Sequence, residues 1–170
     1  MAELIPQGQG VFKEGYKPNT KIAIMELHRL VCIFLASREF AGLRDGPTHV
    51  LDVWDCLQEA EEDEITRILL SVAITARVID DLADGVFDIV SEDCGTLERA
   101  NITEPLGLRE ACNKIIHATK IRFDVEHNAS GQAYVTPYIY LYGNRNGVEW
   151  RATLDVLEFA REYVGCVRHF

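Results

Sequence analysis

The period of the apolar residues changes once along this chain, near Thr119, and that change constrains the fold more than any other feature. Upstream, apolar residues recur every three or four positions; downstream they recur every second one. Those are the repeats of a helix and of a half-buried strand. Glu61–Asp84 carries the clearest helical pattern, with Ile65, Leu69, Val72, Ala76, Ile79 and Ala83 on one side. Acidic residues fill its first turn, where the macrodipole favours them, and Gly85 supplies a stop. Asn19 or Thr20 can cap an earlier helix running to about Leu43, apolar over most of its circumference and hence central. Arg44–Pro47 reads as a turn and Thr48–Ala60 as a further helix. Residues 1–18, with three glycines and two prolines, read as an irregular arm.

Ser91–Thr103 is polar and reads as a surface loop. Thr103 and Pro105 then mark the start of a short helix, Leu108–Ala118. Beyond Thr119, residues Ile121–Glu126, Tyr138–Tyr142 and Val148–Leu154 alternate, and the run GNRNG joins the last two as a hairpin. Asp155–Val167 closes the chain with an amphipathic helix. The expected fold is α+β in a single domain, residues 1–170. A helical bundle of four to five helices occupies 20–118, a three-stranded antiparallel β-meander 119–155, and a C-terminal helix 156–167.

The bulk numbers exclude some functions. With 48% apolar and 26% charged residues, the chain has the balance of a globular domain. A net charge of −10 argues against non-specific DNA binding, which rests on neutralising phosphates. No basic-then-apolar leader is visible, and Ile68–Ala76 is far short of the ~20 apolar residues that span a bilayer. The expectation is a cytoplasmic protein with no membrane contact. The five cysteines include no CxxC pair, so they read as reduced buried thiols rather than zinc ligands. No motif calls for a metal or another cofactor.

Chemistry concentrates in Leu108–Ala118, LREACNKIIHA. Leu108, Ala111, Cys112, Ile115, Ile116 and Ala118 fill one arc, and Arg109, Asn113 and His117 follow one another at steps of four, Arg109 at the arc's edge, Asn113 further round and His117 opposite its centre. His117 therefore points away from its own core. An Arg and a His on one short helix resemble the signature of HEPN-type domains. Those are helical bundles, often dimeric, and many are metal-independent endoribonucleases. The resemblance covers this helix and, loosely, residues 20–118. It implies a homodimer of a defence or toxin–antitoxin-like system that acts on RNA. His117 would be the acid/base residue at the ribose 2′-hydroxyl or the leaving oxygen, Arg109 would stabilise charge on the phosphoryl oxygens, and Asn113 would orient the imidazole or donate to phosphate. The product would end in a 2′,3′-cyclic phosphate. The rise from Arg109 to His117 is ~12 Å, and helical side chains lean toward the N-terminus, so Arg109 leans away. Lys114, or an arginine of a second subunit, can supply the charge instead.

Other constellations weigh less. Asp80-Asp81-Leu82-Ala83-Asp84 resembles the magnesium–diphosphate motif of helical prenyltransferases, but the chain has no second acidic motif, and Arg77 is at hand as a partner for Asp81. Glu61 and Glu64 with Asp81 and Asp84 resemble the acidic pairs of helical nucleoside-triphosphate pyrophosphatases, yet an unbroken helix would hold Glu64 and Asp81 ~25 Å apart. Tyr138, Tyr140 and Tyr142 share one strand face, with Arg122 and Arg151 on neighbouring strands. Such a stripe packs, makes an oligomer or protein contact, or stacks bases. The alternative to an RNase is accordingly a non-catalytic interaction or dimerisation module.

Overall fold

A computed structural model describes residues 18–43 and 53–168. The arm expected over 1–18, apart from Pro18, lies outside the described residues. So do the Arg44–Pro47 turn and the first residues of the helix expected from Thr48.

Helix α1 (Thr20–Ala41) starts at Asn19, whose side-chain oxygen accepts the Ile22 N–H at 3.2 Å. Helix α2 (Val53–Leu82) is one unbroken element, not the two that the pattern predicts. Gln58–Asp63 contains neither glycine nor proline, so nothing interrupts the backbone ladder there. The helix stops where Asp84 and Gly85 take φ of 58° and 77° and the Gly85 N–H turns back to the Asp80 carbonyl at 2.8 Å. Helices α1 and α2 pack antiparallel: Arg29 meets Glu64 at 2.5 Å, Arg67 meets Glu26 at 2.6 Å, and Ser37 donates to Glu61 at 2.9 Å.

After the single turn α3 (Phe87–Val90), the chain departs from expectation. The three-stranded meander is a five-stranded antiparallel sheet with strand order β2-β1-β5-β4-β3. Its strands are β1 (Asp93–Arg99), β2 (Ile102–Gly107), β3 (Lys120–His127), β4 (Ala133–Arg145) and β5 (Val148–Asp155). Helix α4 (Leu108–His117) sits between β2 and β3, and α5 (Val156–Val167) follows β5, capped by Asp155 through the N–H groups of Leu157 and Glu158. The helices line a sheet instead of forming a bundle ahead of it.

The residues read as a loop form the hairpin β1–β2, and Thr103 and Pro105 lie inside β2 rather than at a helix start. Two local devices hide that hairpin. A bulge at Gly95 (φ +150°) shifts the register between Asp93 and Thr96, so the buried positions Cys94 and Leu97 fall three apart and break the alternation. A Cβ at Gly95 would lie 2.0 Å from the Thr153 carbonyl oxygen, so only glycine fits this crossing. The turn itself is Ala100-Asn101, both at positive φ (48° and 64°), a primed hairpin turn without the usual glycine. Pro105 is tolerated because β2 is an edge strand.

Register separates the two sheet faces. Leu97, Ala152 and Leu141 are cross-strand partners on the buried face, as are Leu154 and Ile139. Against them pack Leu27, Leu30 and Phe34 of α1, Ala111, Cys112 and Ile115 of α4, and Phe159 and Tyr163 of α5, while Ile68, Leu69 and Val72 of α2 complete the core from behind α1 and α4. The opposite face carries Tyr138, Tyr140, Tyr142, Arg151, Thr153 and Glu98. No helix of the described residues is long and apolar enough to cross a membrane.

Candidate functional site

Of the arc that its spacing predicts, helix α4 buries Leu108, Ala111, Cys112 and Ile115 and leaves Ile116 and Ala118 partly buried; it also buries Lys114, outside that arc. The row on its other side is divided. Arg109 turns toward the C-terminal end of α2, where it pairs with Asp80 and, at 3.0 Å, with Asp81; Asp88 lies 3.9 Å away. Asp80 is fully buried and also accepts the Phe87 N–H at 2.9 Å. Arg77 stands 3.7 Å from Asp80 and 3.2 Å from Asp81. The acidic pair singled out in the sequence is thus an ion-paired helix end that ties α4 to α2. Among the described residues no group of three or more His, Cys, Asp or Glu could hold a metal ion.

Asn113, Lys114 and His117 face elsewhere. With Glu110 they form one wall of a cleft of about 570 Å³, whose other wall is Asn144, Arg145 and Asn146 of the β4–β5 hairpin and whose floor is Trp150. The hairpin turns at Asn146 and Gly147 (φ 55° and 82°), with the Gly147 N–H on the Asn144 side-chain oxygen at 2.8 Å. Trp150 lies flat across its cross-strand partner Gly143, where a Cβ would stand 2.2 Å from the indole. Only glycine leaves room for that ring.

On this floor sits Lys114, its Nζ 4.4 Å from the ring centroid of Trp150 and 2.9 Å from Glu110 Oε1. Asn113 donates to the other Glu110 oxygen at 3.1 Å. Burial pushes the Glu110 carboxyl up, but the hydrogen bonds from Asn113 and Lys114 and the charges of Lys114 and Arg145 outweigh it and hold the group below its ordinary value. His117 is exposed, and its side chain makes no hydrogen bond or ion pair among the described residues; the same holds for Arg145. Two fixed cations and a titratable imidazole therefore share a cleft with one carboxylate, in a chain of net charge −10. The i, i+3 spacing puts the Lys114 and His117 side chains on adjacent turns.

The tyrosine stripe lies where alternation places it, on the sheet face opposite the helices. Arg122 pairs across from Tyr140 and Arg151 from Tyr142. Tyr140 donates to Asp124 at 3.1 Å, which raises its pKa; the Asp155 charge does so for Tyr138. The Arg122 guanidinium lies 5.8 Å from the Tyr142 ring centroid, and Arg151 meets Glu98 at 2.6 Å. Beside Tyr142 and Arg151 a second cleft, about 890 Å³, opens between the tips of the two hairpins. Sequence reasoning missed Arg145, Asn144 and Trp150 as site residues. The available signal was the predicted hairpin itself: Asn144 and Arg145 lie within Gly143–Gly147 and Trp150 three residues beyond it.

Of the five cysteines, Cys94, Cys112 and Cys166 are buried, while Cys32 and Cys56 are exposed, and all five are free thiols. The expectation of buried thiols therefore fails for two of them. No family model matches this chain, and neither does any curated protein or solved structure.

Proposed function

We propose that the protein binds a phosphodiester in the α4 cleft and cleaves RNA there without a metal, in the HEPN-like manner, with His117 as general acid/base. The observation that supports this reading is the shared cleft of His117, Lys114 and Arg145. An exposed, unpaired imidazole can take the proton of a ribose 2′-hydroxyl as its oxygen attacks phosphorus. The same group then protonates the departing 5′-oxygen, leaving a 2′,3′-cyclic phosphate. Arg145 and Lys114 supply the positive charge that the extra electron density on the phosphoryl oxygens demands. Arg109, engaged by Asp80 and Asp81, leaves that task to them. Asn113 keeps Glu110 turned toward Lys114 and away from the anion. The setting of this reading is a cytoplasmic defence or toxin–antitoxin-like system.

A second reading is a homodimer or protein-interaction module. It is favoured by the open sheet face, where Tyr138 is exposed beside Asp155 and Arg151 pairs with Glu98 near Tyr142. One assay separates the two: a mixed-sequence single-stranded RNA incubated in excess EDTA with wild type and with His117→Ala. The RNase reading expects cleavage by wild type alone, with cyclic-phosphate ends. No cleavage by either protein would transfer the function to the sheet face, where Tyr140→Ala should disturb assembly and His117→Ala should be silent.

A further inference from the structure

We propose that the second cleft is a nucleobase subsite, so that the ligand is a single strand whose phosphate sits against α4 and whose neighbouring base sits between the hairpin tips. This deepens the phosphodiester reading and rests on it.

The two clefts share walls. Asn144 and Trp150 line both, so the clefts meet across the base of the β4–β5 hairpin. Tyr142 and α4 lie on opposite faces of the sheet, so a chain-like ligand passes from one cleft to the other over the edge of β5 beyond its last pair with β1, Arg99 with Trp150. Both volumes fall within the ~300–1,000 Å³ typical of small-ligand sites.

Their electrostatics differ in a way that sorts the parts of a nucleotide. The α4 cleft holds Lys114, Arg145 and His117 against Glu110 alone. The second cleft balances Arg99 and Arg151 against Glu98 and Glu149. Two of these ions are already committed to each other, Arg151 with Glu98 at 2.6 Å, and Arg99 is held by Glu104 at 2.7 Å. That leaves little there to attract a phosphate and a carboxylate to repel one. What the second cleft offers is the Tyr142 ring and the carboxamide of Asn101, a stacking face beside a donor and acceptor suited to a base edge. It also lies where β5 runs past the end of β1: Arg99 pairs with Trp150, so Val148 and Glu149 have no partner on that side. Stacking in so open a notch needs an unpaired base, which selects a single strand over a duplex.

The test uses a probe that lacks a 2′-hydroxyl and so binds without being cut. Amide spectra of the ¹⁵N-labelled chain are followed during titration with inorganic phosphate and, separately, with hexathymidylate DNA. Phosphate is expected to move the signals of Asn113–His117 and Arg145 only. Hexathymidylate is expected to move these together with Ala100, Asn101 and Glu149. Tyr142→Leu should weaken hexathymidylate about tenfold, the loss expected for one stacked base, and leave phosphate unchanged. Tyr142→Phe, which keeps the ring, should bind as wild type does, and its dispersed spectrum serves as the folding control. Hexathymidylate shifts confined to the α4 cleft, or unweakened binding by Tyr142→Leu, would overturn the base subsite while leaving the phosphodiester reading in place. Shifts around Asn101 and Glu149 without any at Lys114–His117 would overturn that reading and the two-cleft path with it.

Discussion

Lys114 is a buried cation, 6% exposed, standing on the face of Trp150 with its Nζ 4.4 Å from the ring centroid and 2.9 Å from Glu110. Lysine rarely reaches such burial without a partner, and here it has both a π face and a carboxylate. Lys114→Met keeps the length of the side chain and removes both interactions, leaving Glu110 with Asn113 alone. It should cost about 1–3 kcal/mol, seen as a lower urea midpoint with an unchanged slope. A midpoint equal to that of wild type would show that the arrangement contributes no net stability. Trp150→Ala should cost more, about 3–5 kcal/mol, because it also empties the space over Gly143.

Glu110 makes that stability depend on pH. Its folded-state value lies below the ordinary carboxylate range, so the unfolded chain binds the proton first as pH falls. The contribution of Glu110 is therefore fully present above the ordinary carboxylate value and is lost as pH drops through the depressed folded value. Urea midpoints measured from neutral pH downward should fall less steeply for Glu110→Gln than for wild type. Parallel acid limbs would show that Lys114 and Asn113 do not hold the carboxylate.

Arg109 is expected to be structural. It reaches Asp80, which is wholly buried, and Asp81 at 3.0 Å, joining α4 to the end of α2. Removing Arg109 leaves buried Asp80 with Arg77, 3.7 Å away, and the Phe87 N–H, at a cost of about 3 kcal/mol. Arg109→Ala should lose that much in chemical denaturation. Arg109→Lys should recover only part of it, since an ammonium cannot span two carboxylates as a guanidinium fork does. Under folding conditions phosphate binding at the α4 cleft should be unchanged. Abolished binding in a folded Arg109→Ala protein would return Arg109 to the site.

The contrast between Arg109 and His117 marks how far the sequence could be read. Helical spacing places Arg109 at the edge of the α4 apolar arc and His117 opposite its centre; His117 is exposed, while Arg109 is partly buried against α2. Spacing on one helix says nothing of what stands opposite. Asp80 and Asp81 draw Arg109 to α2, while the hairpin brings Arg145 and Trp150 to His117. The sheet was half legible for a different reason. The runs Ile121–Glu126, Tyr138–Tyr142 and Val148–Leu154 alternate in the sequence and the last two are joined by an Asn-Gly turn, whereas β1 hides its alternation behind the Gly95 bulge and turns through Ala100-Asn101. For the site the missing information is a contact between segments distant in sequence; for the sheet it is a local bulge and a turn without glycine.

The thiols should separate into two classes. Cys32 and Cys56 are exposed, while Cys94, Cys112 and Cys166 are buried. Burial, together with the nearby Glu162 carboxylate, pushes the Cys94 thiol up to about 12 and raises Cys166; burial likewise raises Cys112. The thiolate is the reactive form, so the buried three are protected twice, by access and by charge state. A chromogenic disulfide reagent at neutral pH should titrate two thiols quickly and three more only after urea is added. Rapid reaction of a third thiol in the native protein would mean that the core around α5 opens on the time scale of the assay.

Tyr163 offers a case where removing an atom should help. Its side chain is completely buried, packed 6.0 Å from Phe159 between ring centroids, and its hydroxyl has no hydrogen-bond partner among the described residues. A buried hydroxyl without a partner carries a desolvation penalty of about 1–3 kcal/mol. Tyr163→Phe keeps the ring and its contacts and deletes only that oxygen. The small gap left behind offsets part of the gain. The expected outcome is a stability equal to that of wild type or up to about 1 kcal/mol higher, read as an unchanged or raised urea midpoint. A loss of more than about 1 kcal/mol would show that the hydroxyl is satisfied in solution by an enclosed water, and that the core between α4 and α5 is polar at that point.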